Sequence, residues 1–101
     1  MHAFDALGNP VRRQILLRLR AHPATVGEIA ARFPVSRPAI SRHLANLQRA
    51  GLVTTRSSGA RKLYAVRPEG FAPVRAYLDG FWDTAFARLE RLARRGSLTE
   101  R

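Results

Sequence analysis

The chain has no cysteine among its 101 residues. That absence excludes disulfides, thiolate metal sites and cysteine nucleophiles, and it constrains the cellular compartment only weakly. Acid is scarce too. Seven Asp and Glu residues stand against 18 Lys and Arg, for a net charge of +11. Lysine is almost missing, with Lys62 alone among the arginines. Arginine bias can reflect genomic base composition, so position says more than type. From Ile29 to Pro68 there is no carboxylate, while Arg32, Arg37, Arg42, Arg49, Arg56, Arg61, Lys62 and Arg67 all fall there. A positive field centred on that span points to a polyanionic partner. No apolar run approaches the ~20 residues that cross a bilayer. The start, Met1-His2-Ala3-Phe4-Asp5, lacks the basic and apolar regions of a signal peptide. The expectation is a cytoplasmic protein with no membrane partner. A hydrophobic share of 46% argues against disorder. The length predicts a single domain over residues 1–101, small enough to share apolar surface with a second copy.

The centre of the chain is Val35-Ser-Arg-Pro-Ala-Ile-Ser-Arg-His-Leu-Ala-Asn-Leu-Gln-Arg-Ala-Gly-Leu-Val53. Ser36 is a favourable N-cap, and Pro38 falls in the first turn, where a missing N–H costs little. Ile40, Leu44 and Leu47 recur at helical spacing as a buried stripe. The opposite side carries Pro38, Ser41, Arg42, Ala45, Asn46 and Arg49. Gly51 is a stop signal. Such a helix suits a DNA major groove, although an ordinary amphipathic surface helix has the same pattern.

The flanking segments decide between those readings. Phe4 and Leu7, with Ala3, suggest a short first helix ended by Gly8-Asn9. Asn9-Pro10 restarts the chain as N-cap and first helical residue. Val11, Ile15, Leu16 and Leu19 form the stripe of a second helix ending near His22-Pro23. Arg12 and Arg13 oppose its dipole, with phosphate, a carboxylate such as Asp5, or solvent as their options. Thr25-Val-Gly-Glu28 is a capping box opening a third helix, whose apolar side is Ile29, Ala30 and Phe33 and whose end is Pro34. Two short helices so close together predict a helix-turn-helix with the second as reader. Leu52–Arg56 and Lys62–Val66 are strand-like, separated by the turn Ser57-Ser-Gly-Ala60. The hairpin completes a winged helix, mainly α with a small β-hairpin. Arg56, Arg61 and Lys62 stand at or beside its tip, suited to a phosphate backbone or minor groove.

Pro68-Glu69-Gly70 leads into a long final helix. Phe71, Val74, Leu78, Phe81, Ala85, Leu89 and Leu92 keep 3/4 spacing, with Tyr77, Trp82 and Phe86 beside them. That is more apolar surface than a terminal helix needs on a small domain. It predicts a homodimer interface built from this helix and the first one, with residues 1–22 and 68–96 as dimerisation segments and 97–101 as a flexible tail. The interface set is Phe4, Leu7, Phe71, Val74, Leu78, Phe81, Trp82, Ala85 and Leu89. The alternative is a helix folded back on its own core. Gly80 costs ~1 kcal/mol in a helix interior.

Five blocks, in order and spacing, resemble the ArsR-type family of bacterial winged-helix repressors. They are Phe4–Leu17, Val26–Ala30, Val35–Leu44, Leu47–Val53 and Gly59–Tyr64. The resemblance implies the order α1-α2-α3-α4-β1-β2-α5, a dimer through α5 and α1, and reading of double-stranded DNA by the second helix of the helix-turn-helix. It places Arg37, Ser41 and Arg42 toward bases and Ser36 and His43 nearer the backbone. Pro38 and Asn46 complete that DNA-facing set. His43, on the flank of the buried stripe, also suits a structural hydrogen bond. Metal-sensing members of the family commonly carry cysteines in the third helix, or Asp and His pairs with further His or Glu in the last. Here the third helix has neither thiol nor His, and His2, His22 and His43 lie in three different elements. Asp79 and Asp83 alone make a poor transition-metal site, and pairing with Arg75 suits them better. No metal and no other cofactor is expected.

The leading expectation is therefore a dimeric, sequence-specific repressor at an inverted repeat. Its release by a small ligand, by a partner protein, or by nothing stays open. Tyr77, Trp82 and Phe86 can line a ligand pocket, but such spacing is more often core. The alternative is a non-specific architectural or RNA-binding basic protein. No catalytic constellation supports an enzyme.

Overall fold

A computed structural model describes residues 3–95. The elements are α1 (Ala3–Ala6), α2 (Pro10–Ala21), α3 (Val26–Ala30), α4 (Arg37–Arg49), β1 (Val53–Ser58), β2 (Arg61–Val66) and α5 (Ala72–Arg94), with a 3-10 turn over Pro68–Phe71 before α5. This is the expected winged helix-turn-helix order. Met1, His2 and the tail assigned to residues 97–101 lie outside the described residues.

Local chemistry starts each helix where the sequence places it. Asn9 holds extended backbone, and its Oδ1 accepts from the N–H groups of Val11 and Arg12 at 2.9 and 3.1 Å. Thr25 and Glu28 close a reciprocal capping box on α3. The Ser36 hydroxyl accepts from the Ala39 N–H at 3.2 Å, which leaves Pro38 in the turn whose N–H groups lack intrahelical acceptors. The core gathers Ile15, Leu16 and Leu19 from α2, Ile29 from α3, and Ile40, Leu44 and Leu47 from α4. Each such side chain contributes roughly 1.5–3 kcal/mol on burial.

Four details differ from the sequence expectation. In α1 the core is reached by Ala3 and also by Ala6, which the apolar reading of the first helix leaves out, while Phe4 stays exposed. The helix α3 stops at Ala30, and Phe33 packs half-buried from the following turn. Strand β1 begins at Val53 and extends to Ser58, so the hairpin turn is only Gly59-Ala60. The loop residue Ala24 adds a bridge to the outer edge of β2, exchanging backbone hydrogen bonds with Tyr64 at 2.8 and 3.1 Å.

The exit from α4 sets the position of the wing. Gly51 takes φ +79, donates to Gln48 O, and leaves Leu52 to donate to Leu47 O, both at 3.0 Å. This is the Schellman pattern, with the apolar contact between fully buried Leu47 and Leu52 that accompanies it. Leu52 therefore caps α4 instead of opening β1. The chain returns to the same point after the wing. Arg67 N–H donates to Leu52 O at 2.8 Å, the Arg67 guanidinium reaches Gly51 O at 3.2 Å, and Gly70 lies directly against the Gly51 carbonyl. A Cβ on Gly70 would stand 1.8 Å from that oxygen.

Beyond Phe71 and Val74, which are half-buried on the domain's own core, α5 leaves the body of the molecule. The radius of gyration is 19.0 Å, and the extents are 63 × 26 × 23 Å. A compact chain of this length would have a radius near ~13 Å. The long helix does not fold back. Tyr77, Leu78, Phe81, Trp82, Phe86 and Leu89 are each at least 45% exposed.

Two glycine substitutions test this description. Gly70→Ala forces two backbone segments apart and should destabilise the protein by about 1–3 kcal/mol. Gly80, in an exposed helix interior with open space at its Cβ, should gain up to about 1 kcal/mol as Ala. Urea unfolding of both variants reads the opposite signs.

Candidate nucleic-acid interface

The outward line of α4 runs Pro38, Arg42, Ala45, Arg49, all exposed, opposite the buried Ile40, Leu44 and Leu47. Ser36 and Ser41 are exposed beside it. Three residues of the sequence-derived set lie closer to the body of the domain. The Arg37 guanidinium rests by Gly27 of α3, where a Cβ would come within 3.4 Å of it. His43 is half-buried on the side toward Arg12 of α2. Asn46 is half-buried, and its Oδ1 is enclosed without a hydrogen-bond partner. Ala45 and Arg49, which the helical period sets on the outward side but the DNA-facing set leaves out, complete the exposed line.

The wing supplies the second part of the surface. Arg56, Arg61 and Lys62 are exposed, but they are not equivalent. Arg61 Nη2 donates to Glu28 Oε2 at 2.8 Å, while Glu28 Oε1 accepts the Thr25 N–H at 2.9 Å. One carboxylate thus closes the N-terminus of α3 and ties down the start of β2, next to the hairpin turn. The Thr25 N–H outweighs desolvation and, helped by the Arg61 charge, holds the Glu28 carboxyl below its ordinary 4.5. Lys62 Nζ stands 5.4 Å from the centroid of the Tyr64 ring, two residues along the same face of β2. That contact orients the ammonium without neutralising it.

The fold already occupies some of these cations and leaves others without a partner. In the acid-free span, Arg61 is paired with Glu28 and Arg67 is engaged with Gly51 O. Among the described residues, Arg32, Arg37, Arg42, Arg49, Arg56 and Lys62 make no ion pair and no side-chain hydrogen bond. Arg12 and Arg13 are committed elsewhere. Arg12 donates to Ala6 O at 2.7 Å and Asp5 O at 3.3 Å, and Arg13 donates to Leu7 O at 2.8 Å. Their partners are the carbonyl end of α1 rather than the Asp5 carboxylate. Arg75 and Asp79 pair loosely at 3.7 Å. No three His, Asp or Glu side chains gather at one point among the described residues. No helix among them is long and apolar enough to cross a membrane.

The His43 imidazole is pushed below its ordinary 6.5 by desolvation first, then by the charges of Arg12 and Arg42. The neutral ring is thus favoured by the fold. Its stability contribution is present above pH 6.5 and fades as pH falls through the depressed midpoint. An NMR titration should place the His43 midpoint below the ordinary 6.5. A midpoint at or above 6.5 would remove the buried, cation-flanked placement of the ring.

Comparison with known proteins agrees with this geometry. A family described as a helix-turn-helix domain matches residues 7–56. The HTH-type transcriptional regulator Rv2034 of Mycobacterium tuberculosis is 44% identical over 90 residues, covering 89% of this chain and 84% of that protein. A solved structure described as a possible transcriptional regulator for arsenical resistance is 41% identical, with a TM-score of 0.71 over 86% of this chain and 91% of that one. The homodimeric winged helix-turn-helix DNA-binding domain of Mb0332 from Mycobacterium bovis, a possible ArsR-family regulator, is 32% identical with a TM-score of 0.63. Its alignment covers 78% of this chain and 73% of that one. With the fold matched and the sequence similar over most of both chains, the chain belongs to the ArsR-type family of winged helix-turn-helix transcriptional regulators and is not an enzyme.

Proposed function

We propose that the chain is a homodimeric repressor that reads an inverted repeat in duplex DNA and responds to no metal. The observation that carries the reading is the row of unpaired cations on α4 and the wing, in a span without carboxylates. The outward line of α4 enters the major groove, with Arg42 placed for bidentate contact to guanine. Arg56 and Lys62 lie on phosphates and add affinity without sequence information. Arg61 is spent first on Glu28, so it positions the wing more than it binds.

The dimer reading rests on the uncovered stripe of α5. It is continuous with exposed Phe4, whose ring meets Tyr77 edge-on at 5.6 Å. A shallow apolar groove lined by Leu7, Leu16, Leu17 and Phe71 extends it onto α2. A patch of this kind marks an interface. Two copies joined there present two reading helices about one DNA turn, ~34 Å, apart. Repression follows from occupancy of a promoter by the dimer, and the cytoplasm is the place for it. The absence of cysteine and the scattering of His2, His22 and His43 over the chain favour a regulator without a metal effector.

Selection of bound sequences from random duplex DNA at near-physiological salt should enrich an inverted repeat. Binding without enrichment, abolished by modest salt, would instead indicate a non-specific architectural protein. On the selected site, Arg42→Ala should relax preference at one position by about 1–3 kcal/mol. Lys62→Ala should weaken all sequences alike and lower the salt slope by about one. Sedimentation should give a dimer for the wild type and a monomer for Trp82→Glu; a wild-type monomer at micromolar concentration rejects the α5 interface.

A further inference from the structure

We infer that Pro38 and Arg42 read DNA as a pair, Pro38 packing its ring on a thymine methyl group and Arg42 binding a guanine within two base pairs of it. This rests on the proposal that α4 enters the major groove, and it concerns which bases α4 selects there. Pro38 is exposed in the first turn of α4, on the same line as Arg42 and four residues before it. The N-terminal turns of a reading helix are the ones that reach base edges.

Pro38 brings no hydrogen-bond donor or acceptor from its side chain. It can distinguish bases only by apolar contact, and the apolar feature of the major groove is the thymine C5-methyl. Its ring has no rotamer freedom to lose, so the contact costs almost no side-chain entropy. Arg42 is exposed and, among the described residues, bound to nothing. Its fork is free for the O6 and N7 acceptors of guanine. The two residues are separated by about 6 Å along the helix axis. Successive base pairs lie about 3.4 Å apart. Their targets therefore fall no more than two base pairs apart, and closer if the helix crosses the groove obliquely. Ser41, between them in sequence, can donate or accept and so adds hydrogen bonds without fixing a base.

The test removes one methyl group from the DNA. In the selected operator, the thymine nearest the Arg42-dependent guanine is replaced by deoxyuridine, and affinity is measured for the wild type, Pro38→Ala and Arg42→Ala. Wild-type affinity should fall about fourfold, the loss expected for one buried methyl. Pro38→Ala should bind both DNAs equally while keeping its guanine preference, and Arg42→Ala should keep the fourfold methyl effect. The wild-type arm needs no folded variant, and circular dichroism confirms that Pro38→Ala retains α4. Equal methyl effects in wild type and Pro38→Ala, or a selected site with guanine and no thymine within two pairs, overturn the inference while leaving DNA reading intact. A selection with no enriched site overturns the DNA-reading proposal itself.

Discussion

The architecture depends on one backbone meeting point, the contact of Gly51 with Gly70. The helix α4 ends there, the wing departs from there, and the last helix begins beside it. Gly51 supplies the left-handed turn that α4 needs in order to stop, and its carbonyl is then received by the Arg67 guanidinium and by the bare Cα of Gly70. Neither end of the wing is free to drift while that contact holds. The hairpin is thus attached at its base by the backbone, along its edge by the Ala24–Tyr64 bridge, and at its side by Glu28 and Arg61. Three independent attachments hold a two-stranded sheet that would be marginal alone.

Charge is allotted by the same logic. Arginines that face carbonyl ends or the Glu28 carboxylate are structural, and those on the outer line of α4 and the wing have nothing to hold within the chain. The abundance of arginine therefore overstates the number of cations free to meet a partner. Arg12 and Arg13 fasten α1 to the start of α2, and Arg67 fastens the wing to the α4 cap. Among the described residues, the cations left over include Arg20 on α2 and Arg88, Arg91 and Arg94 on α5, but only those between Arg32 and Lys62 lie in the span that lacks carboxylates, and the proposed nucleic-acid surface uses the ones on α4 and the wing.

Most of the fold was legible because its boundaries are written in single residues. Asn9, Thr25, Ser36 and Gly51 each act through their own side chain or backbone within a few positions, so a reading of the sequence finds them. The stripe Ile40, Leu44, Leu47 is legible for the same reason. What was not legible depends on contacts distant in sequence. Ala24 gives no sign of bridging Tyr64, and Gly70 reads as a linker glycine until the Gly51 carbonyl is found against it. The site shows the same division. Arg42 and Ser41 are exposed where the helical period puts them. The lean of Arg37 onto Gly27 and the pairing of Arg61 with Glu28 depend on which neighbours tertiary folding supplies. Phe71 and Val74 continue the apolar period of α5, yet they sit on the domain core, because a period identifies a buried face without naming what buries it.

The bare flank of α5 makes stability a collective property. Tyr77, Leu78, Phe81, Trp82, Phe86 and Leu89 meet water in the single chain, so their apolar area contributes nothing until something covers it. Whatever covers them stabilises the chain by mass action. If that cover is a second copy, as proposed, the chain's own abundance sets how much of this area is out of water, and dilution returns it.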